Sequence, residues 1–169
     1  QPYHKPTHEK PRGLYALYLH FCYLLGELPK TYPKREEDNA DLREAAKRMK
    51  QYSAEADLLG RNRIETAGDL HDFTERISAE FETLLKARGK LRNRLRRMHD
   101  TETMNPIRAE ISELSERIRT LRREMVLCRD IAERSDAVEA LVDRIEEIDT
   151  RAKARANEES DLSDTKDSI

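Results

Sequence analysis

Apolar side chains recur every three or four residues from residue 12 onwards, which is the spacing of one face of an α-helix. The first such segment, from 12 to 28, is apolar on nearly every side, so other elements must cover it. We expect Pro29 and Pro33 to end this helix, because proline has no backbone N–H with which to continue it. Its apolar stripe consists of Leu14, Leu17, Tyr18, Phe21, Leu24, Leu25 and Leu28.

A second helix is expected from about 38 to 61, where apolar positions again follow three- and four-residue steps. These positions are Leu42, Ala45, Ala46, Met49, Tyr52, Ala56 and Leu59. Its apolar side is the natural cover for the first helix, so residues 12–65 are interpreted as a two-helix base. Residues 1–11 contain three prolines and no apolar periodicity, which predicts an extended lead or linker.

A third helix is predicted to begin after Thr66. A Thr hydroxyl with the carboxylate of Asp69 three residues later can form a capping box, which satisfies free backbone N–H groups at a helix start. The helix then follows a heptad pattern with Thr74 and Arg88 as polar core positions. Its apolar core positions are Leu70, Ile77, Phe81, Leu84, Leu91, Leu95 and Met98.

A fourth helix with the same pattern follows a polar loop over residues 99–104. We expect Asn105 to cap it and Pro106 to occupy its first position, where the missing N–H costs nothing. The core positions alternate steps of four and three, and they are Ile107, Ile111, Leu114, Ile118, Leu121, Met125 and Cys128. Near Ser135 the apolar stripe rotates, so a new helix or a bend is expected there, with Ile131, Val138, Leu141, Ile145 and Ile148 forming the later stripe.

Two heptad stripes of similar length joined by a short loop can bury themselves by folding back on each other. We therefore predict an antiparallel coiled-coil hairpin over residues 66–134; a parallel dimer of either stripe is the structural alternative. A C-terminal helix over 135–156 and a disordered acidic tail over 157–169 complete the prediction. The fold class is all-α and elongated, with a long antiparallel coiled-coil hairpin and a shorter helical pair.

Composition supports this interpretation. Only 37% of residues are hydrophobic while 39% are charged, and there is no Trp, which is typical of exposed helices rather than of a compact globule. Cys22 and Cys128 lie far apart in apolar helical patterns, so we interpret them as reduced core thiols and expect a cytoplasmic location. The longest apolar stretch is shorter than the roughly 20 residues of a membrane span, so we expect no membrane insertion.

Candidate catalytic chemistry is sparse, so no enzyme activity is expected in this fragment. The sequence has no glycine-rich phosphate loop and no nucleophile signature, and its carboxylate pairs, such as Glu146 with Glu147, suggest solvent-facing side chains. The histidines are interpreted as solvated loop residues, which predicts no metal site, and no cofactor is expected. They are His4, His8, His20, His71 and His99.

One segment does suggest a binding function. Residues 86–99 contain seven basic residues and no acidic one, whereas residues 130–169 contain thirteen acidic and six basic residues. Clustered arginines can bind a nucleic-acid backbone through its phosphates. The alternative is that they are ordinary solvated flanks of a coiled coil, partly paired with Glu110, Glu113 and Glu116. The candidate DNA-binding residues are Lys86, Arg88, Lys90, Arg92, Arg94, Arg96, Arg97, Arg119, Arg122 and Arg123.

Three segments in serial order carry a resemblance to a known family: RGLYALYLHFCYLLGELPK (12–30), RNRIETAGDL (61–70) and LRREMVLCRDIAERS (121–135). They resemble the C-terminal region of relaxases, the mobilisation nucleases of conjugative elements in Gram-positive gut bacteria. The resemblance implies a part in conjugative DNA transfer. In that family the nuclease domain lies upstream, so no catalytic residue is carried over, and the start of this chain at Gln1 suggests a fragment of something longer.

Two functions therefore follow from the sequence. The first is a non-catalytic helical domain of a relaxase that contacts the DNA backbone or proteins of the transfer machinery, with a homodimer as a further option. The second is a free-standing coiled-coil scaffold or oligomerisation protein, whose charges serve only solubility and helix pairing.

Overall fold

The structure is a computed structural model that describes residues 13–31 and 40–167, with side chains described over 13–28 and 40–163. These residues form five helices and no strand, so the all-α prediction is confirmed. The expected lead over residues 1–11 lies outside the described residues. The helices are α1 (Leu14–Thr31), α2 (Ala40–Lys47), α3 (Met49–Arg61), α4 (Ala67–Arg96) and α5 (Thr101–Asp167).

The chain divides into two compact units. Unit 1 combines Gln1–Arg63 with Arg134–Ile169, and unit 2 consists of Ile64–Glu133. Helix α5 contributes its first 33 residues to unit 2 and the rest to unit 1, because the division falls between Glu133 and Arg134.

The core of unit 1 forms where α1 packs against α3. The ring of Phe21 meets that of Tyr52 edge to face, with centroids 4.9 Å apart, which is a favoured aromatic geometry. Tyr18 is fully buried, as the sequence predicted, whereas Tyr15 stays 36% exposed. Helix α1 continues to Thr31, which is two residues beyond Pro29, the first of the two prolines expected to end it. Loss of one N–H within the last turn removes one hydrogen bond without preventing that turn from forming.

The second predicted helix is in fact two helices. Helix α2 ends at Lys47 and α3 starts at Met49, with Arg48 at φ −92° and ψ 14° between them. The N–H of Arg48 is shared between the carbonyls of Glu44 and Ala45, at 3.2 and 3.0 Å. This tightened turn interrupts the hydrogen-bonding pattern at one residue, a local deviation that side-chain periodicity does not reveal.

The last part of α5 supplies the remaining cover of unit 1. Val142 is 1% exposed and Leu141 only half-buried, so the sequence interpretation placed this stripe one residue off at that point. The buried apolar side chains of this part of α5 are Val138, Val142, Ile145 and Ile148.

Three side chains of α5 also bind the other helices of unit 1. Nη2 of Arg134 donates to Oε1 of Glu55 on α3 at 2.7 Å, and Nε2 of His20 on α1 lies 2.8 Å from Oε1 of Glu146. Arg144 pairs with Asp41 on α2.

Unit 2 begins with the predicted capping box. Thr66 Oγ1 accepts a hydrogen bond from the backbone N–H of Asp69 at 3.0 Å, and Asp69 Oδ2 accepts one from the N–H of Thr66 at 3.2 Å. Helix α4 starts directly after this cap. The capping prediction is confirmed, and both bonds use backbone donors that would otherwise be free.

Helix α4 pairs with the first part of α5. Arg88 on α4 donates a hydrogen bond to Ser115 on α5, and Arg122 on α5 lies over the ring of Phe81 on α4. Phe81 precedes Arg88 by seven residues, whereas Arg122 follows Ser115 by seven. Residue numbers that fall on one helix while they rise on the other define antiparallel helices. These two contacts run in the antiparallel sense within unit 2, while the coiled-coil hairpin stays a prediction.

The turn between α4 and α5 differs from the expectation. Helix α5 starts at Thr101, and Asp100 is the capping side chain, since its Oδ1 accepts from the N–H of Glu102 at 3.2 Å. Pro106 consequently lies inside the helix rather than at its first position, and Asn105 is not the cap. The Asp100 carboxylate offers an earlier cap, and this extends the helix by about one turn.

Helix α5 has no interruption at Ser135 and runs to Asp167. The stripe does change there: Cys128 and Ile131 are both buried and three residues apart, where a strict heptad would have required a step of four. The rotation of the apolar stripe is therefore confirmed, whereas a new helix at Ser135, one of the two expected alternatives, was wrong. Residues 157–167, expected to be a disordered tail, are helical, and every side chain from 153 to 163 is exposed.

Candidate nucleic-acid interface

Arg88 occupies a polar core position of α4, as the heptad pattern predicted. Its Nη1 donates a hydrogen bond to Oγ of Ser115 on α5 at 3.2 Å, and the side chain is half-buried. Partial loss of solvent lowers the pKa of Arg88 below its usual value, and the nearby guanidinium groups of Arg92 and Arg122 lower it further. Arg88 therefore lies close enough to Arg92 and to Arg122 for like charges to repel.

We call Arg88, Arg92 and Arg122 the arginine cluster. Arg92 lies one helical turn after Arg88 on the same face of α4, and Arg122 comes from α5. The guanidinium of Arg122 sits 5.6 Å from the centroid of the Phe81 ring, a cation–π distance that holds the side chain in place.

In the part of the chain that the structure describes, no carboxylate forms an ion pair with any member of the arginine cluster. Other arginines of unit 2 do find carboxylates. Nε of Arg117 donates to Oε1 of Glu80 at 3.0 Å, and Nη2 of Arg119 lies 3.9 Å from Oε1 of Glu116. The cluster thus lacks the carboxylate partners of the alternative interpretation, although Arg92 and Arg122 are exposed.

The remaining sequence candidates are placed less tightly. Arg123 donates to the hydroxyl of Thr120 at 3.4 Å and is otherwise exposed. The other five candidates are exposed side chains of α4 or of the residue directly after it. These are Lys86, Lys90, Arg94, Arg96 and Arg97.

Three kinds of residue at this surface were not predicted from the sequence. Ser115 and Phe81 were not recognised as partners, because only the antiparallel register shows that they face Arg88 and Arg122. The bond between Arg117 and Glu80 was also not predicted, because it too depends on the register of α4 against α5. Val126 and Leu127 were also missed: with Arg119, Arg122 and Arg123 they line an open groove on α5, in which Val126 is 41% exposed.

No family model, curated protein or solved structure matches the chain. Among the described residues, no group of three or more His, Cys, Asp or Glu could hold a metal ion. No helix of the described ranges is both long and apolar enough to cross a membrane.

Polar groups of unit 1 correct one part of the sequence interpretation. His20 is 1% exposed and bound to Glu146, so it is not a solvated loop histidine, and Glu146 is not simply solvent-facing. Both cysteines are free thiols, as predicted, with Cys22 half-buried and Cys128 buried. His71 and His99 are exposed, and His4 and His8 lie outside the described residues.

Proposed function

We propose that the chain is a non-catalytic helical domain of a relaxase that binds the DNA backbone through the arginine cluster. The observation that carries the proposal is the convergence of Arg88, Arg92 and Arg122 without a carboxylate partner among the described residues. Like charges held close together repel each other, and a bound phosphate would relieve that repulsion.

Binding of this kind would be electrostatic rather than sequence-specific. Each phosphate that an arginine neutralises releases condensed counterions, so affinity falls steeply as salt rises. The surface offers no exposed aromatic side chain among the arginines, since Phe81 is half-buried beneath Arg122. Base stacking of the kind used by single-strand-binding proteins is therefore not part of the proposal.

The relaxase assignment rests on the resemblance of the three segments described above. It predicts a nuclease domain encoded upstream of Gln1 in the same reading frame. Sequencing that frame tests the assignment directly. A nuclease domain with a histidine-bound metal site supports it, and a start codon immediately before Gln1 contradicts it.

DNA binding is tested by fluorescence anisotropy with a labelled 20-base-pair duplex and a labelled 20-nucleotide strand of unrelated sequence. Affinity is measured between 50 and 200 mM salt for the wild type and for Arg92→Gln/Arg122→Gln. We expect the variant to bind more weakly and its slope of log affinity against log salt to shrink by about two on duplex, because each lost phosphate contact removes roughly 0.9.

The matched control is Arg43→Gln/Arg155→Gln, which removes the same charge from exposed positions of unit 1. If the proposal is correct, this control retains the salt slope of the wild type. Equal losses in both double variants would show a response to net charge alone. Such a result, or the absence of low-salt binding in the wild type, contradicts a phosphate site at the arginine cluster.

A second candidate is a coiled-coil scaffold or oligomerisation protein. It is favoured by the last part of α5, whose side chains from 153 to 163 are all exposed although they belong to a continuing helix. A helix of this kind gains stability from a partner, because isolated helical turns are marginal in water. In the anisotropy experiment this candidate predicts no DNA binding at any salt concentration.

A further inference from the structure

Helix α5 exposes two large aliphatic side chains within the described residues. Val126 is 41% exposed and Leu162 is 65% exposed. Single exposed aliphatic residues are common on protein surfaces, so neither would indicate a docking site by itself. The charges that surround them are what distinguish these two.

The surroundings of Val126 are basic. Arg119, Arg122 and Arg123 precede it by seven, four and three residues, so they share its face of the helix. These side chains and Leu127 line the open groove on α5. We call this group the basic groove. Glu116 lies at its edge, where one carboxylate oxygen is 3.9 Å from Arg119.

The surroundings of Leu162 have the opposite charge. Glu158 and Glu159 precede it by four and three residues, and Asp161 is its neighbour in sequence. All three carboxylates are exposed, as is Arg155, seven residues before Leu162. We call Glu158, Glu159, Asp161 and Leu162 the acidic segment. Glu158 and Glu159 stand at the same spacing from Leu162 as Arg122 and Arg123 do from Val126.

We infer that the basic groove is a docking surface for the acidic segment of a second copy of this chain. Two carboxylates would face two guanidinium groups while Leu162 covers Val126, so charge and apolar area match together. Exposed ion pairs contribute little each, and the aliphatic contact is small, so the association is expected to be weak and sensitive to salt. The inference does not depend on DNA binding; it assigns a surface to the oligomerisation candidate.

The test is sedimentation velocity of the full chain without DNA, over a concentration series at 50 and 500 mM salt. At low salt we expect the measured mass to rise with protein concentration above the 19.8 kDa of one chain. At high salt we expect it to return to that value. Two charge reversals are compared with the wild type: Arg119→Glu/Arg123→Glu and Glu158→Arg/Glu159→Arg. Each alone should weaken association by more than about tenfold, because like charges then face each other.

Mixing the two variants supplies the decisive result. Each variant lacks a complementary pair within its own kind, but the mixture restores acid opposite base, so the mixture should associate although neither variant does alone. The chosen substitutions leave Arg122 and its contact with Phe81 in place. Far-UV circular dichroism of both variants checks that they retain the helical content of the wild type.

Three outcomes would overturn the inference: a wild type that stays monomeric at every concentration, variants that associate as well as the wild type, or a mixture that remains monomeric. The control Arg43→Glu/Lys50→Glu reverses two exposed charges in unit 1 and should associate like the wild type. A control that weakens association as much as the groove variant also counts against it, because net charge would then be the cause.

Discussion

Arg134 donates a hydrogen bond to a carboxylate that has no exposed surface. Its Nη2 lies 2.7 Å from Oε1 of Glu55, whose side chain is 0% exposed, while that of Arg134 is 25% exposed. Gln51 also donates to the same oxygen at 3.4 Å, and the ring of Tyr52 lies 5.7 Å below the guanidinium. A buried carboxylate is costly without partners, so Arg134 allows α3 and α5 to pack around Glu55.

Replacement of Arg134 by Met is expected to lower the free energy of unfolding by about 3 kcal/mol, because the charge of Glu55 would stay buried without its main counterion. Urea unfolding followed by circular dichroism measures the loss. The double variant Glu55→Leu/Arg134→Met should recover most of it, since an apolar pair of similar volume needs no counterion. Arg129→Met is the matched control. Arg129 is exposed, and its ion pair, 3.4 Å long, is with Asp130, the next residue in the chain.

A smaller loss from Arg134→Met than from the exposed control would contradict this account. A double variant that is no more stable than Arg134→Met would show that Glu55 contributes mainly through packing. Both results are readable from the same unfolding curves.

The capping box predicts a dependence on acid. The backbone N–H groups of Glu65 and Thr66 donate to Asp69 and hold its pKa below the usual 3.8. A carboxyl with a lowered pKa in the folded state stabilises the fold above its unfolded pKa, and that contribution is lost as pH falls through the folded pKa. The wild type should therefore be more stable than Asp69→Asn at pH 7, with a difference that shrinks below pH 3.8.

Urea midpoints at pH 7, 5 and 3 measure this difference. Asp72→Asn provides the control, because Asp72 is an exposed residue of the same helix outside the capping box. A gap between wild type and Asp69→Asn that is unchanged at pH 3 would show that the carboxylate charge is not what stabilises the cap.

Features that depend on a few neighbouring residues could be predicted from the sequence. The Thr66 cap is one, because both of its hydrogen bonds join residues three apart. The polar core position of Arg88 is another, since a heptad pattern identifies it without knowledge of the partner helix. The all-α class follows from the same periodicities.

Features that depend on distant residues could not be predicted. Glu55 lies 79 residues from Arg134, and it stands in a helix rich in polar residues where nothing local distinguishes a buried acid. His20 and Glu146 are 126 residues apart, and the sequence interpretation therefore left both in solvent. Ser115 was missed in the same way, because its role requires the register of α4 against α5.

Two glycines in helices are expected to differ in how much stability they gain on replacement by alanine. A Cβ on Gly89 of α4 would meet nothing within 4 Å, so Gly89→Ala should raise the free energy of unfolding by about 0.5–1 kcal/mol through helix propensity. A Cβ on Gly60 of α3 would overlap Cε2 of Tyr15, so the ring must move away. We expect Gly60→Ala to gain less than Gly89→Ala, because the contact with Tyr15 is lost.

Thermal and urea unfolding of the two variants measure the contrast. The combination Gly60→Ala/Tyr15→Ala isolates its cause, since removal of the ring makes room for the new methyl group. If Gly60→Ala stabilises as much as Gly89→Ala while Tyr15 is present, the close approach of the ring does not restrict this position.

Cys22 should react slowly with thiol reagents. Burial raises its pKa from 9.0 to about 11, and the nearby carboxylates of Glu55 and Asp57 add to the shift. Only the thiolate is nucleophilic, so at pH 8 the reactive fraction is about one-hundredth of that of an ordinary cysteine. Iodoacetamide labelling followed by peptide mass spectrometry, in the native protein and in urea, measures the ratio. Equal rates in the two states would contradict burial of the thiol.

Arg88 offers a variant in which stability and binding are expected to move in opposite directions. Met at this core position would remove the repulsion from Arg92 and Arg122 and fill the α4–α5 contact with apolar atoms. Arg88→Met should therefore raise the free energy of unfolding by about 1 kcal/mol while it weakens DNA binding. Arg94→Met is the control: it removes one exposed charge of the same helix and should leave stability nearly unchanged.

Urea unfolding and DNA anisotropy on the same samples decide between two roles for Arg88. A gain in stability together with weaker binding would mean that the arginine destabilises its own helix pair and contributes through a ligand, as residues at binding sites often do. A loss of stability would mean that its hydrogen bond to Ser115 outweighs the repulsion. In that case Arg88 holds α4 against α5, and the arginine cluster would lose the feature that distinguishes it from a solvated helix flank.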